Sequence, residues 1–504
     1  MTKCRIGTKA HTLSGAAALI IAVFLTLLFT GCPNAHGNKP ATPKYTVTFS
    51  VDGGGGTLTA KIGETEIKTD TTVEQGKTVT FTAMPDKGYK VKGWTLDGNA
   101  VNGTAETYTL TVTQPATITV SFEPKKAILT LEAGKNTVKV KAKTADGSAI
   151  KVKGCNETEL ASNVETTLTA KEAGTQITLI GDITELDCRG EETPGGNRPL
   201  IALDASGCTA LQKLDCAKNQ LTALDVQGLK DLQELNCRSN QIPELNVHGL
   251  TALQKLNCTG NKLTTLNVQG LTALKELDCQ SNKELTALHV HGCTALQKLN
   301  CRFNKLTALD VSGLTALQEL DCQSNQLKTL NVSDLTALQE LDCNTNQLKT
   351  LNVQGLTALQ ELSCGSNQLK TLNVQGLTAL QKLYCENNQL TTLNVQGLTA
   401  LQELYCENNQ LTTLNVQGCT ALKSLLCFKN KLNADAFIKI FNDLPIREAS
   451  DNAEAILYAE DEDLIEDNCT DFTQPEDLKK AFDGAKAKHW KLQKADGFGL
   501  GTDI

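Results

Sequence analysis

The sequence predicts a mainly β protein: a solenoid of about twelve stacked rungs, a small β-grasp-like module and a β cap before it, and a helical cap behind it. Three observations carry this. A cysteine recurs from Cys216 to Cys427 every 21 residues, with one extra residue near Glu284. Between Tyr45 and Glu123, large apolar side chains fall at every second position, the period of a half-buried strand. After Asn430 the apolar spacing becomes helical.

At 504 residues the chain exceeds one compact core, so several domains or a repeat array are expected. A net charge of −8 argues against a nucleic-acid partner, which would require a basic face. At the N-terminus, Lys3, Arg5 and Lys9 precede an apolar run from Leu13 to Thr30 that ends in "LLFTGC". Charge followed by a short apolar run is the order of an export signal. The closing hexapeptide resembles the lipobox of bacterial lipoproteins, which implies removal of residues 1–31 and lipid attachment to Cys32. A simple cleaved signal and an uncleaved anchor helix are the other readings of this run. Residues 32–44, "CPNAHGNKPATPK", are too short and polar to fold and read as a lipidated tether.

Residues 45–124 form the small β module, with "KTVTFTA" and "GYKVKGWTLDG" as strand and hairpin. Those segments around Trp94 resemble the internalin-B-type repeat of bacterial surface proteins, which implies a β-grasp-like unit. Trp94 itself reads as core. Residues 125–180 alternate again ("AILTLEA", "NTVKVKAKT", "TQITLIG") and meet the first repeat without a linker. A solenoid exposes the apolar edge of its first rung, so this stretch is expected to cap it.

Residues 181–432 repeat L-x-x-L-x-C-x-x-N-x-L-x-x-L-x-V-x-G-L-x-x, the leucine-rich-repeat consensus with cysteine in place of one leucine. Each L-x-L-x-C is a strand whose Leu and Cys point inward. Rungs about 4.8 Å apart give a rod of roughly 55 Å. Cysteine then acts as a small buried apolar residue, stacked on its equivalents. Parallel Cβ vectors disfavour disulfides, a straight row cannot converge on zinc, and an inward thiol lacks the exposure and cationic neighbour of a nucleophile. This ladder resembles that of the internalin J class of surface adhesins. Asn219, Asn240, Asn261 and so on to Asn430 stand where the chain leaves the strand, placed to bond turn backbone in a second ladder. Gly228, Gly249 and Gly270 stand at the opposite corner, with Asp334 once in their place. The remaining half of each repeat is too short for a helix and predicts strand or 3₁₀ structure.

Residues 433–504 are expected to be the C-terminal α/β cap. Phe437, Ile440, Phe441 and Leu444 share one helical face behind Asn433 as N-cap, and Thr473 with Glu476 reads as a capping box before Leu478, Ala481, Phe482 and Ala485.

No catalytic constellation, phosphate loop or metal-ligand spacing is found, so the chain reads as a non-enzyme without cofactor or metal. His248, His289 and His291 have no ligand partner at suitable spacing. The outward residues beside the ladder are small and polar until Tyr384, Tyr405 and Leu426, with Glu386, Glu407 and Phe428 after the same cysteines. Exposed tyrosines favour protein interfaces, and these six are the candidate binding patch, with Arg238, Arg302 and Phe303 as a second focus. The competing reading is that the C-terminal cap covers the aromatics. The lipobox resemblance implies a cell-envelope lipoprotein, at the outer membrane or cell surface, and the resemblance to internalins implies adhesion to a protein on a host cell or another bacterium. The alternative is a periplasm-facing protein that organises envelope components.

Overall fold

The computed structural model describes residues 41–191, 193, 195–460, 466–496 and 501–504. Cys32 and the proposed signal lie outside them. Among the described residues no helix is long and apolar enough to cross a membrane.

Alternation between Lys44 and Pro124 produces two packed sheets. In one, Lys44–Asp52 runs parallel to Ala116–Pro124, which pairs on its other side with Tyr89–Leu96. The second contains Gly56–Ile62, Thr78–Pro85 and Thr107–Thr111. Val47, Phe81, Trp94 and Ile118 fill the space between, and the Trp94 indole N–H donates to the Ala105 carbonyl at 2.6 Å. The unit expected to be β-grasp-like is thus built wholly of strands. Its core is separate from the rest of the chain. It meets the cap where Lys87 pairs with Asp146 at 2.5 Å and the Lys125 N–H donates to the Gly88 carbonyl at 2.7 Å, and it meets the start of the solenoid where Asp182 accepts from the Gly88 N–H at 3.2 Å.

One continuous core runs from Ala127 to Leu492. The cap covers both faces of the first rung. Thr137–Thr144 adds antiparallel to Ile183–Asp187, while Lys126–Leu131 adds antiparallel to Leu200–Asp204. From there each repeat contributes a three-residue strand such as Glu340–Asp342, in parallel register with the equivalents before and after it. The opposite face carries short parallel ladders, such as Thr392–Asn394 with Thr413–Asn415, and no helix.

The ladder cysteines, Cys216 to Cys427, are fully buried free thiols. Burial pushes them far above the usual thiol range, Cys237 to about 12, so they stay protonated. Cys208, Cys293 and Cys419 take leucine positions and are also buried. The last two donate to the Val268 and Val395 carbonyls at 3.1 Å.

The asparagines form the second ladder in full. Asn346, for example, donates to the Cys322 and Cys343 carbonyls at 3.1 Å each and accepts from the Leu327 N–H at 3.0 Å. Every rung thus ties itself to the previous one through buried polar groups that would otherwise be unpaired. The extra residue near Glu284 is absorbed in the turn, where the Leu285 N–H donates to the Asn282 carbonyl.

Two residues after each ladder cysteine the backbone is left-handed, with φ between 51° and 64°, and only Gly260 is a glycine there. Sequence reading missed this corner and expected strain only at the glycine corner, where Asp334 in fact takes no positive φ. Thr345 is the β-branched case, at φ 53°, while Asn387 and Asn408 hold the same position in later rungs. Asparagine tolerates this region and threonine does not. Thr345→Asn should therefore raise stability by about 0.5–1 kcal/mol in urea denaturation. No gain, or a loss, would show that the corner imposes no strain on threonine.

The C-terminal cap starts with α1 (Ala434–Asp443), capped by Asn433, whose Oδ1 accepts from the Ala436 N–H at 3.0 Å. Phe437, Ile440 and Phe441 are its buried face. The capping box expected at Thr473 and Glu476 does not form. Pro475 is the N-cap of α2 (Glu476–Ala487), and the Thr473 hydroxyl donates to Asp471 instead. A residue before proline avoids helical backbone, so Gln474 could not serve as the first helical residue. Leu478, Ala481, Phe482 and Ala485 are buried as expected, and the Trp490 indole N–H donates to the Pro445 carbonyl at 2.8 Å. The cap also extends the main sheet. Glu454–Ala459 pairs parallel with Ser424–Leu426, and Lys491–Ala495 follows it. Asn468 continues the asparagine ladder, donating to the Cys427 carbonyl and accepting from the Leu432 N–H.

Candidate functional site

The inward Leu and Cys of each strand fix the direction of the residues between them, so the outer sheet face is a set of straight columns. A groove of about 930 Å3 follows it from Lys141 to Ser363. The column that opens each strand alternates in charge: Lys213 pairs with Glu234 at 3.0 Å, Lys255 with Glu276 at 2.8 Å, and Lys298 with Glu319 at 2.5 Å. The column before the cysteines carries Asp215, Asp321 and Asp342, whose carboxyls are raised first by burial; Asp342 reaches about 6.

At the end of the groove the surface changes. Ser363 and Gly365 are followed by Tyr384 and Glu386, then by Tyr405 and Glu407. The strands pair in register, so the tyrosine rings lie 4.8 Å apart at 38°, and the Tyr384 hydroxyl donates to Glu403. Both tyrosines remain partly exposed. Leu426 and Phe428 lie on the next rung, where they pack against Ile456, Ala459 and Ala495 of the cap. The patch is therefore divided: the cap leaves Tyr384 and Tyr405 accessible and half-covers Leu426 and Phe428.

Glu386 leans into the space over Gly365, where a Cβ would lie 2.1 Å from its Oε1. One oxygen each of Glu386 and Glu407 is sealed from solvent without a hydrogen-bond partner. Burial, and for Glu407 also the charge of Glu386, raises both carboxyls, Glu407 to about 7. The burial of these two carboxyls beside the tyrosines is what sequence reading did not anticipate.

The second focus splits. Arg302 lies over the Phe303 ring at 5.4 Å, donates to Gln280 at 2.7 Å and faces Asp321 at 3.6 Å. Phe303 is 48% exposed, one of the few large apolar side chains so open. Arg238 stands three rungs away and does not join them. Among the described residues no group of His, Cys, Asp and Glu is placed to hold a metal ion.

Residues 45–126 match the sequence profile of the divergent InlB B-repeat domain. The module resembles a B-repeat. No curated protein matches the chain. Among solved structures, the functional domain of InlJ from Listeria monocytogenes, which includes a cysteine ladder, is 29% identical; the match covers 57% of this chain and 77% of that one, with a TM-score of 0.42. An internalin of the same organism, inlF, is 24% identical, covering 50% of this chain and 84% of that one at a TM-score of 0.38. A leucine-rich-repeat protein of Leptospira interrogans is 26% identical, covering 48% and 79% at a TM-score of 0.36. The chain joins a module similar to the B-repeat to a leucine-rich-repeat solenoid with a cysteine ladder, and is internalin-like in that sense.

Proposed function

We propose that this chain is an exported, lipid-anchored binding protein, held at the cell envelope through Cys32, whose solenoid binds a protein on a host cell or another bacterium. The B-repeat and cap act as a spacer between the tether and the binding face. The observation that carries the reading is the pair of adjoining, partly exposed tyrosines, Tyr384 and Tyr405, on a sheet face otherwise lined by small polar and charged groups. Aromatic anchors of this kind contribute large contact area at low entropic cost. Arg302 and Phe303 form a smaller contact along the same face.

The double variant Tyr384→Ser/Tyr405→Ser separates binding from folding, because neither ring is part of the core. Capture of surface proteins from host-cell and bacterial extracts should weaken about 100-fold, while the melting temperature moves by a few degrees at most. Capture that matches the unaltered chain would remove the tyrosine patch as the site.

A further inference from the structure

The charge alternation along the outer face fails in one place. Glu319 is followed by Glu340 and Glu361 on consecutive, directly paired strands. Glu319 is neutralised by Lys298 and Glu361 by Lys382, at 2.5 and 3.3 Å, which leaves Glu340 without an ion pair among the described residues. Asp321 and Asp342 lie beside this acidic column.

The same three rungs depart from the others on the far side of the asparagine corner. There Lys328, Lys349 and Lys370 stand, all exposed, where the rung before has Thr307 and the rung after has Thr391. None of the three has a salt-bridge partner among the described residues. Three like charges on neighbouring rungs about 4.8 Å apart repel one another. The lysine column carries that cost in full and the acidic column carries it at Glu340, and within one molecule the two columns form no ion pair with each other among the described residues.

The two columns match in number, in spacing and in position along the rod. A second copy displaced sideways, without any shift along the axis, sets Lys328, Lys349 and Lys370 opposite Glu319, Glu340 and Glu361. We propose that the solenoid associates laterally with further copies of itself through this lysine edge and this acidic stripe. The two surfaces are different, so the contact is heterologous and does not close; it generates rows of parallel rods rather than isolated dimers. Rods anchored at one end to a common membrane would be presented in that parallel alignment. The tyrosine patch lies on the rungs that follow the stripe on the same sheet face, so an in-register row sets the neighbouring rod beside it as well.

Light scattering of the purified full chain in a dilute non-ionic detergent tests this. At about 10 mM salt, where charges act over roughly 30 Å, mass should grow continuously with protein concentration; at about 1 M salt, where they act over roughly 3 Å, it should fall to the monomer. The reversals Lys328→Glu/Lys349→Glu/Lys370→Glu and Glu319→Lys/Glu340→Lys/Glu361→Lys should each weaken self-association at least about tenfold. Mixing the two reversed chains should restore it, since the edge of each then fits the stripe of the other. All these side chains are at the surface, and unchanged circular-dichroism melts would show that each variant folds. A wild-type chain that stays monomeric at low salt overturns the proposal, as does a mixture that fails to regain association. Retained capture of a protein partner by the lysine-edge variant would separate this contact from ligand binding.

Discussion

Asn346→Ala should lower the stability of the solenoid by about 3 kcal/mol, more than any substitution of comparable size on the surface. The side chain accepts from the Leu327 N–H, which has no other partner among the described residues, and donates to the Cys322 and Cys343 carbonyls. Those carbonyls keep a bond from Asn325 and Asn367 respectively, so the variant weakens them without stripping them. The Leu327 N–H is left buried and unsatisfied, which costs about 1–3 kcal/mol, and each lost bond adds about 1 kcal/mol. Asn346→Asp should be worse, because the charge is buried and faces carbonyl oxygens. Asn352→Ala, on the exposed far face, should cost less than about 1 kcal/mol. Urea denaturation of the three variants decides the matter. Equal losses for Asn346→Ala and Asn352→Ala would mean that the asparagine ladder is ornamental.

The ladders were legible because a stacked rod maps sequence period directly onto space. A residue that recurs every 21 positions, such as Cys343 or Asn346, must sit above its own equivalent, and the amino-acid type then tells whether the row is apolar or a set of backbone partners. Legibility ended where period ended. Asn468 plays the part of the next ladder asparagine but follows Asn430 only after α1 and the strand Glu454–Ala459, so no spacing marks it. Thr473 and Glu476 matched a local pattern that Pro475 overruled. The left-handed corner at Lys218, Thr345 and their equivalents went unnoticed because its residue types vary, whereas the glycine corner advertises itself.

The candidate patch was legible in part for the same reason. Reading down the columns located Tyr384 and Tyr405 next to each other, and their rings are indeed in contact. Columns also contain the break at Glu340 and the lysines at Lys328, Lys349 and Lys370; comparison of two columns, rather than inspection of one, is what reveals that they coincide. Lateral packing was not readable. That Leu426 and Phe428 lean on Ile456 depends on a strand from the cap, and that Glu386 fills the space above Gly365 depends on the one rung without a side chain there.

That last contact has a consequence for pH. Glu386 and Glu407 stack on adjacent rungs with one oxygen of each sealed and unpartnered, and the folded-state pKa of Glu407 is raised from 4.5 to about 7. A raised carboxyl binds its proton more tightly in the folded chain than in the unfolded one, so its contribution to stability is fully present below about 4.5 and is lost as pH rises through about 7. Glu386 shifts in the same direction, from burial. Glu407→Gln removes the ionisation while keeping the shape. It should leave stability unchanged near pH 4.5 and raise it above pH 7 by up to about 3 kcal/mol, flattening the decline between the two. Denaturation midpoints across that range provide the measurement, and a variant whose decline parallels the wild type would place the titrating group elsewhere. Because Glu407 lies beside Tyr405 on the accessible end of the sheet, the same protonation changes the surface offered to a partner from charged to neutral. Binding through the tyrosines should then vary over the window in which wild-type stability varies, and should lose that dependence in Glu407→Gln.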